Sequence, residues 1–413
     1  MPKIKPFDGY LVRSDRAKQV VSPAYDSVTA EQRRKFASDN PANFINTMRL
    51  QDDYPEESRP TQDQLLATNK ETLQRLLKDG SFAPFDNPSM FIYQLGNDVH
   101  SQTGLICEVA VEEYEDGALR KHENTHATKE DLLARYQEVV GASSSPICLT
   151  YPRSTEIDAL IATLAENPPH LNFTTDDAEF QRVWAITDTE TINQLRSHFI
   201  QVEATYLTDG HHRASSGQRY AEIMRAKTGN NLGDEPFNQL LIALFPDNQL
   251  SLLPFHRSVK DTNGLSASEL VSALCANFNV EKLDGASNFQ PAEHGEFGML
   301  MDNTWYRLSL KSGEIDASDP VALLDVSILQ NLILEPILGI QAMGDDERLG
   351  YVAGVSGHAG ILDAVADGWQ LVFVCYPTSI RQLMDVADAN ALMPAKSTYF
   401  DPKPRSGIFV RLK

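Results

Sequence analysis

The stretch EATYLTDGHHRASSGQRYAEIMRAKT, residues 203–228, decides the fold. A short run of β-branched and aromatic residues leads into the DGHHR segment, Asp209–Arg213, and small and apolar residues then recur every three or four positions. This pattern predicts a strand, a tight turn and a helix in direct succession. Glycine tolerates backbone angles that residues with a Cβ disfavour, so Gly210 allows the turn to close and to expose its amides.

Three interpretations of the DGHHR turn are open. In the first, Asp209 caps the helix and the two histidines are ordinary surface or core residues. In the second, Asp209, His211 and His212 bind a metal ion, although adjacent side chains rarely point at one ion. In the third, the amides at the helix start bind an anion such as phosphate, together with Arg213 and the imidazoles. The third interpretation is favoured because all of these groups attract negative charge.

Length and composition describe an ordinary globular protein. A chain of 413 residues is long enough for about two domains, and 42% hydrophobic and 23% charged residues are ordinary proportions. The net charge of -21 opposes contact with nucleic acid and with anionic membranes, so neither is an expected partner. The first residues lack the apolar segment of a signal peptide, and no run reaches the length of a membrane span. A cytoplasmic location is therefore expected.

A second chemically dense stretch is GALRKHENTHATKEDLLARYQEVVGA, residues 117–142. Thr128 and Asp131 resemble a capping box, and the apolar residues after them follow helical spacing. The preceding segment, which contains His122 and Glu123, then lies between a strand and a helix, where catalytic groups are often displayed. A solvated charged loop is the alternative interpretation.

Strand-like and helix-like segments alternate from residue 90 to 260, which predicts a mixed α/β protein with a twisted sheet and the DGHHR turn at one strand's carboxyl end. Alternation in residues 104–114 indicates a sheet with one buried face, and Phe44-Ile45 is expected to be a strand. The predicted division is a core at 1–262, a smaller appended α+β unit at 263–320 and a C-terminal segment at 321–413 that packs back on the core. Residues 321–340 are apolar all round, as in a core helix or the contact of a homodimer.

A proline-punctuated loop near the C-terminus carries a group of polar residues. The three prolines at 394, 402 and 404 stiffen this loop, and stiffness helps to hold side chains at a ligand. The residues expected to bind a substrate are Lys396, Ser397, Thr398 and Lys403.

Six motifs in order resemble the widespread bacterial family known as domain of unknown function 1015. They are SPAYD at 22–26, KHENT at 121–125, DGHHR at 209–213, LPFHR at 253–257, LDVSILQ at 324–330 and MPAKSTYFDPK at 393–403. The resemblance covers essentially the whole chain, and six ordered motifs leave little room for chance agreement.

The strand, turn and helix also resemble the phosphate-binding element of the ParB and sulfiredoxin superfamily. That superfamily includes nucleotide-binding partition proteins, ATP-dependent sulfiredoxins and free serine kinases. The likeness carries over to Asp209, Gly210, His211, His212 and Arg213.

One departure from the family pattern concerns the helix after KHENT. Relatives place an acidic residue and an arginine a few positions beyond the lysine that Lys129 matches, where this chain has Leu132 and Leu133. Arg135, on the same predicted helix, is the candidate to compensate. Without that compensation, a role of the missing pair is not expected to carry over to this chain.

The residues and the resemblance together favour a phosphotransferase that uses ATP or ADP with Mg²⁺ on a small hydroxylated metabolite, serine first. The turn amides, His212 and Arg213 would hold the phosphates, and Asp209 would place the magnesium ion. Glu123 would be the general base with His122 beside it, in one cleft with Lys396 facing the turn. A nucleotide-binding switch protein without turnover and a phosphohydrolase are the alternatives.

Overall fold

The computed structural model describes residues 2–313, 315–316, 318–341 and 346–413. The chain forms two compact units, of which unit 1 is Met1–Leu250 with Pro402–Lys413 and unit 2 is Ser251–Asp401. Both units combine helices and sheets, so the predicted mixed α/β class is confirmed. No helix in the described part of the chain is long and apolar enough to cross a bilayer.

The helices are α1 Ala17–Val20, α2 Ala30–Asp39, α3 Gln62–Lys78, α4 Val111–Glu115, α5 Ala127–Val140, α6 Thr155–Ala165, α7 Thr189–Phe199, α8 His211–Thr228, α9 Ala267–Leu274, α10 Asp325–Leu329, α11 Gly357–Ala366 and α12 Ile380–Asp388. The strands are β1 Tyr10–Val12, β2 Phe82–Pro84, β3 Met90–Gly96, β4 Ser101–Ala110, β5 Leu119–Arg120, β6 Ala142–Ser143, β7 Ile147–Tyr151, β8 Leu171–Thr174, β9 Phe180–Ile186, β10 Thr205–Asp209, β11 Gln239–Pro246, β12 Leu252–Leu253, β13 Phe255–Val259, β14 Phe278–Leu283, β15 Glu296–Met301, β16 Thr304–Leu310, β17 Leu349–Ala353, β18 Leu371–Cys375, β19 Tyr399–Phe400 and β20 Phe409–Leu412.

Unit 1 is built on a mixed eight-stranded sheet in the order β5-β10-β7-β11-β4-β3-β9-β8. Successive side chains of a strand point to opposite sides of the sheet. The central strands carry apolar side chains on both sides, so both faces of the sheet are apolar there. In β11, Leu241 and Phe245 enter one core cluster and Leu240 and Leu244 the other. The expectation of one buried face for residues 104–114 is therefore wrong, since both faces of the sheet are covered.

A smaller sheet in unit 1 has the order β2-β1-β20-β6 and joins the two ends of the chain. Tyr10 of β1 pairs with Val410 of β20 in antiparallel register. Phe409 is buried and packs on Phe91 of the large sheet, with ring centroids 5.1 Å apart. The last residues of the chain are thus part of the core of unit 1.

The helix after the DGHHR turn lies tightly against its neighbours. A Cβ at Gly217 of α8 would come within 2.4 Å of a methyl carbon of Leu240, so glycine permits a close approach to β11. On another side, α8 packs on α5 through Ala134 and Tyr220. This packing holds the start of α8 in a fixed position relative to the segment that precedes α5.

The pairing of β5 with β10 determines what meets the DGHHR turn. The two strands run parallel, with Leu119 opposite Thr205 and Arg120 opposite Tyr206. Parallel strands deliver their following segments to the same edge of a sheet. The KHENT segment after β5 and the DGHHR turn after β10 therefore emerge side by side.

Unit 2 contains an antiparallel six-stranded sheet in the order β14-β16-β15-β18-β13-β17. Helices α9 and α10 contribute to the core on one face, and α11 packs on the other. The strands of residues 278–310 and 349–375 share this sheet, so the structure divides the chain differently from the predicted bounds at 262 and 320. Long-range strand pairing, which the local pattern does not encode, sets the division.

Three local predictions are wrong. Phe44–Thr47 is a short 3₁₀ helix, started by the Asn43 side chain, which accepts a hydrogen bond from the Ile45 amide at 3.0 Å. Helix α5 begins after His126 without a side-chain cap, so Thr128 caps nothing. Residues 321–340 are not one helix, because α10 passes into a π-helical turn at Gln330–Leu334.

Candidate functional site

The start of α8 is the centre of the candidate site in unit 1. Gly210 has φ +96°, a left-handed conformation that lets β10 turn directly into the helix. The register between β10 and β7 shifts between Leu207 and Asp209, and such irregularities re-aim side chains at strand ends. The first amides of α8 have no partner inside the helix, and with the helix dipole they favour an anion.

Asp209 lies in a partly buried network of alternating charges. One of its carboxylate oxygens accepts a hydrogen bond from Lys403 Nζ at 2.7 Å, and the other pairs with Arg213. Lys403 also donates to Asp26 at 2.9 Å. Burial alone would raise the pKa of Asp209, but Lys403 and Arg213 outweigh it and hold that pKa well below its ordinary value.

The structure bears on two roles predicted for Asp209. Gly210 occupies the N-cap position of α8 and no side chain caps it, so the interpretation of Asp209 as a helix cap is wrong. Both carboxylate oxygens of Asp209 are already in ion pairs. Each oxygen keeps a further lone pair, so the role of Asp209 as magnesium ligand stays a prediction.

Two buried imidazoles face each other at the turn. The rings of His122 and His211 meet edge to face, with centroids 4.5 Å apart. Both nitrogens of His122 and Nε2 of His211 are buried without a hydrogen-bond partner. The Leu207 carbonyl faces the His122 ring but does not meet the geometry of a hydrogen bond to it.

The protonation state of both rings follows from their burial. Burial lowers the pKa of His122 to about 4, and the Leu207 carbonyl only partly opposes this shift. Burial, together with the neighbouring His122, lowers the pKa of His211 well below its ordinary value. Both rings are therefore neutral near pH 7 and each keeps a nitrogen lone pair.

Glu123 places a carboxylate beside these rings. Its Oε2 lies 3.7 Å from Nδ1 of His211, and half of its side chain is exposed, against 6% for that of His211. The expectation that His122 and Glu123 face the DGHHR turn is met by the geometry, although their catalytic roles stay predictions. An accessible carboxylate beside buried neutral imidazoles can accept a proton from a ligand or bind a cation.

His212 points to a different neighbour. Its ring stacks on that of His126, with centroids 5.8 Å apart and an interplanar angle of 22°. Burial, with the charge of Lys129 and the nearby His126, lowers the pKa of His212. The start of α8 thus presents amides, an imidazole and an ammonium group in one neighbourhood, which suits an anion.

The remaining predicted residues belong to two different units. Lys403 lies in unit 1 and holds Asp209, as described above. In unit 2, the Lys396 ammonium lies over the Phe255 ring at 5.2 Å, and the Ser397 hydroxyl donates to the Pro394 carbonyl at 2.5 Å. Thr398 is in the same loop. Substrate binding by Lys396, Ser397 and Thr398, and a cleft shared with Glu123, stay predictions.

Sequence reasoning gave no role to several residues of this neighbourhood. Asp26 was visible in the SPAYD motif, but no local pattern pairs it with Lys403. His126 and Lys129 were visible beside KHENT, and only the packing of α5 on α8 brings them to His212. Arg135, the candidate to compensate for the missing acid–arginine pair, forms an ion pair with Glu138 at 2.8 Å.

Comparisons with known proteins identify a family for this chain but assign it no function. A family model described as "Protein of unknown function (DUF1015)" matches residues 4–327. No curated protein sequence matches the chain significantly.

Solved structures with some likeness include a conserved hypothetical protein from Pyrococcus furiosus. It is 10% identical, with a TM-score of 0.36 over 75% of this chain and 95% of that one. A free serine kinase in complex with ADP is 11% identical, with a TM-score of 0.37 over 75% and 92%. SbnI from Staphylococcus aureus, with a C-terminal truncation, is 12% identical, with a TM-score of 0.35 over 73% and 85%. Likeness at these TM-scores carries no argument about what this chain does.

Proposed function

The chain belongs to the DUF1015 family, whose description assigns no activity, and we propose that it is a nucleotide-dependent phosphotransferase acting on a small hydroxylated metabolite. The proposed phosphoryl donor is ATP or ADP. Serine is the first acceptor to test, because the DGHHR turn resembles that of a superfamily that includes free serine kinases.

The nucleotide phosphates would bind at the start of α8. The amides of the first helical turn are without helical partners, and a helix N-terminus carries about half a positive elementary charge. Lys129 and His212 add polar groups on the α5 side. Arg213 and Lys403 are balanced by Asp209 and Asp26, so they would stabilise the turn more than they would hold phosphate directly.

The observation that carries the proposal is the position of Glu123. A general base must reach the hydroxyl that it activates within about 3 Å, directly or through one water. Glu123 is half exposed, so a substrate can reach it, and its Oε2 lies 3.7 Å from the side-chain Nδ1 of His211, the first residue of α8. The base and the phosphate site would thus sit at adjacent positions, as in-line phosphoryl transfer requires.

The magnesium ion of the proposal would come with the nucleotide. Mg²⁺ is commonly held by substrate phosphates, waters and one or two carboxylates. Both oxygens of Asp209 are already in ion pairs, so most ligands of this ion would come from the nucleotide phosphates and waters, with Asp209 as the proposed protein ligand.

The test is incubation of the purified protein with ATP or ADP, Mg²⁺ and a panel of hydroxy amino acids, followed by mass detection of phosphorylated products. Replacement of the base by an isosteric amide, Glu123→Gln, should lower turnover by about 10²- to 10⁴-fold while nucleotide still binds. The matched control is Glu222→Gln, on the exposed part of α8, which should leave turnover unchanged.

Each alternative outcome of this assay would indicate a different function. Release of inorganic phosphate without a phosphorylated acceptor would replace the proposal by a phosphohydrolase. Nucleotide binding without any turnover would replace it by a nucleotide-binding switch. Full turnover of the Glu123→Gln variant would remove Glu123 from the mechanism.

A further inference from the structure

We infer that His122, Glu123 and His211 form a binding site for one divalent transition-metal ion of the zinc class. Among the described residues, these three side chains each offer one ligand atom, and the three atoms lie within 4.8 Å of one another. The ion is distinct from the magnesium ion of the proposed phosphoryl transfer, which prefers oxygen ligands.

One of the distances is close to that of a metal site. Ligand bonds to zinc of about 2.0–2.1 Å in a tetrahedral arrangement put two ligand atoms about 3.4 Å apart. Nδ1 of His211 and Oε2 of Glu123 are 3.7 Å apart. Because the Glu123 side chain is half exposed, it can move by the remaining distance without disturbing the core.

Unsatisfied nitrogens are the second observation that points to a ligand. His122 is 1% exposed, and neither of its ring nitrogens has a hydrogen-bond partner. Buried polar atoms without partners are rare in folded proteins, because each one costs free energy. A metal ion would satisfy one nitrogen of His122, and it would bind His211 through Nδ1, which lies 3.7 Å from Glu123, rather than through the unpartnered Nε2. The Leu207 carbonyl beside the His122 ring would then suit the other ring nitrogen, as outer acceptors do in known sites.

Charge balance also favours a cation at this point. The ion pairs around the DGHHR turn cancel one another, since Asp26 and Asp209 carry two negative charges and Arg213 and Lys403 two positive ones. The start of α8 opposes a cation with about half an elementary charge. Glu123 supplies a full negative charge closer to the ion, so the ligand set remains net attractive.

The ligand types decide the class of metal. Two imidazole nitrogens and one carboxylate oxygen suit Zn²⁺, Co²⁺ or Ni²⁺ better than Mg²⁺ or Ca²⁺, which prefer oxygen alone. Three protein ligands leave a fourth position open, which is the arrangement of zinc sites that bind an exchangeable ligand.

The site has a regulatory consequence that rests on the proposed function. A metal ion bound to Glu123 occupies the carboxylate that the phosphotransferase would use as its base. Zinc should therefore inhibit phosphoryl transfer, and a chelator selective for zinc over Mg²⁺ should restore it. Metal binding itself does not depend on this consequence and can be measured without turnover.

The experiment is equilibrium dialysis of chelator-treated protein against Zn²⁺, with metal analysis, and titration with Co²⁺ followed by its visible absorption. The expected result is one Zn²⁺ per chain and a Co²⁺ spectrum of low coordination number. Glu123→Ala, at a half-exposed position where folding is not at risk, should weaken binding at least about tenfold. His122→Leu, which places an apolar side chain in the same buried space, should do the same.

The control variant is His198→Ala, which removes an imidazole of α7 outside this group and should leave zinc binding unchanged. Failure to bind Zn²⁺, or binding that neither Glu123→Ala nor His122→Leu weakens, overturns the site. Zinc binding by a protein that shows no phosphotransferase activity when it is free of zinc and supplied with Mg²⁺ overturns the proposed function and leaves the metal site standing.

Discussion

At the scale of single residues, Gly210 determines both the backbone path and the space available at the candidate site. Its φ of +96° is in the region that L side chains rarely adopt. A Cβ at this position would also lie 2.7 Å from Nε of Arg213 and 2.8 Å from one of its terminal nitrogens. The same residue therefore sets the direction of α8 and leaves room for the guanidinium that pairs with Asp209.

Gly210→Ala should lower the free energy of unfolding by about 1–2 kcal/mol, because of the left-handed backbone, and should also weaken nucleotide binding. Gly229 is the matched control, since it ends the same helix at φ +70° with nothing within 4 Å of an added Cβ. Gly229→Ala should cost a similar free energy and leave nucleotide affinity unchanged. Thermal unfolding and calorimetric titration with ADP measure the two effects, and equal nucleotide affinities would count against the turn as the phosphate site.

At the scale of secondary-structure elements, one side chain of unit 2 forms a hydrogen bond between two neighbouring strands. Nδ1 of His256, on β13, accepts a hydrogen bond from the Cys375 amide of β18 at 3.2 Å. An imidazole that accepts at Nδ1 is neutral. Burial, with the adjacent Arg257, lowers the pKa of His256 to about 4. The geometry and the pKa thus agree that the folded protein holds this ring unprotonated.

Unit 2 should lose stability as the pH falls from about 6.5 to 4. The unfolded chain takes up a proton on His256 near pH 6.5, whereas the folded chain resists protonation down to about 4. The unfolded state therefore binds more protons in this window, and stability decreases as the pH falls, by up to about 3 kcal/mol. His256→Asn keeps an acceptor without a titrating ring. Urea unfolding followed at several pH values should show a flatter profile for the variant, and identical profiles would contradict the assignment.

At the scale of the whole molecule, unit 2 is an insertion in the chain of unit 1. The chain leaves unit 1 after Leu250 and returns at Pro402. The ends of the inserted unit lie side by side, because the Asp401 amide donates to the Ser251 carbonyl at 3.2 Å and β12 pairs with β19. The returning residues then supply β20, Lys403 and Arg405 to unit 1.

Replacement of residues 251–401 by a short glycine–serine linker should leave a folded unit 1, because the two chain ends are adjacent and its core clusters are complete. A chain that stops at 401 should not fold cooperatively, since it lacks the buried Phe409 and the ion pair of Arg405 with Glu179 at 2.7 Å. Circular dichroism with thermal melting compares the two proteins. Cooperative unfolding of the truncated chain, or the absence of a cooperative transition in the linker variant, would contradict the interpretation of unit 2 as an insertion.

The sequence by itself determined the local features of the site: the strand, the glycine turn and the helix of residues 205–228, the buried run of β11, and the connection that carries His122 and Glu123. Each of these depends on interactions between near neighbours, such as side-chain periodicity and the backbone freedom of glycine. Only the tertiary structure decided that the KHENT segment lies beside the DGHHR turn, that Lys403 holds Asp209, and that β14 to β18 share one sheet. The physical reason is that strand pairing and ion pairs join residues that are far apart in the chain. Local sequence propensities do not specify which distant segment a strand or a charged side chain will contact.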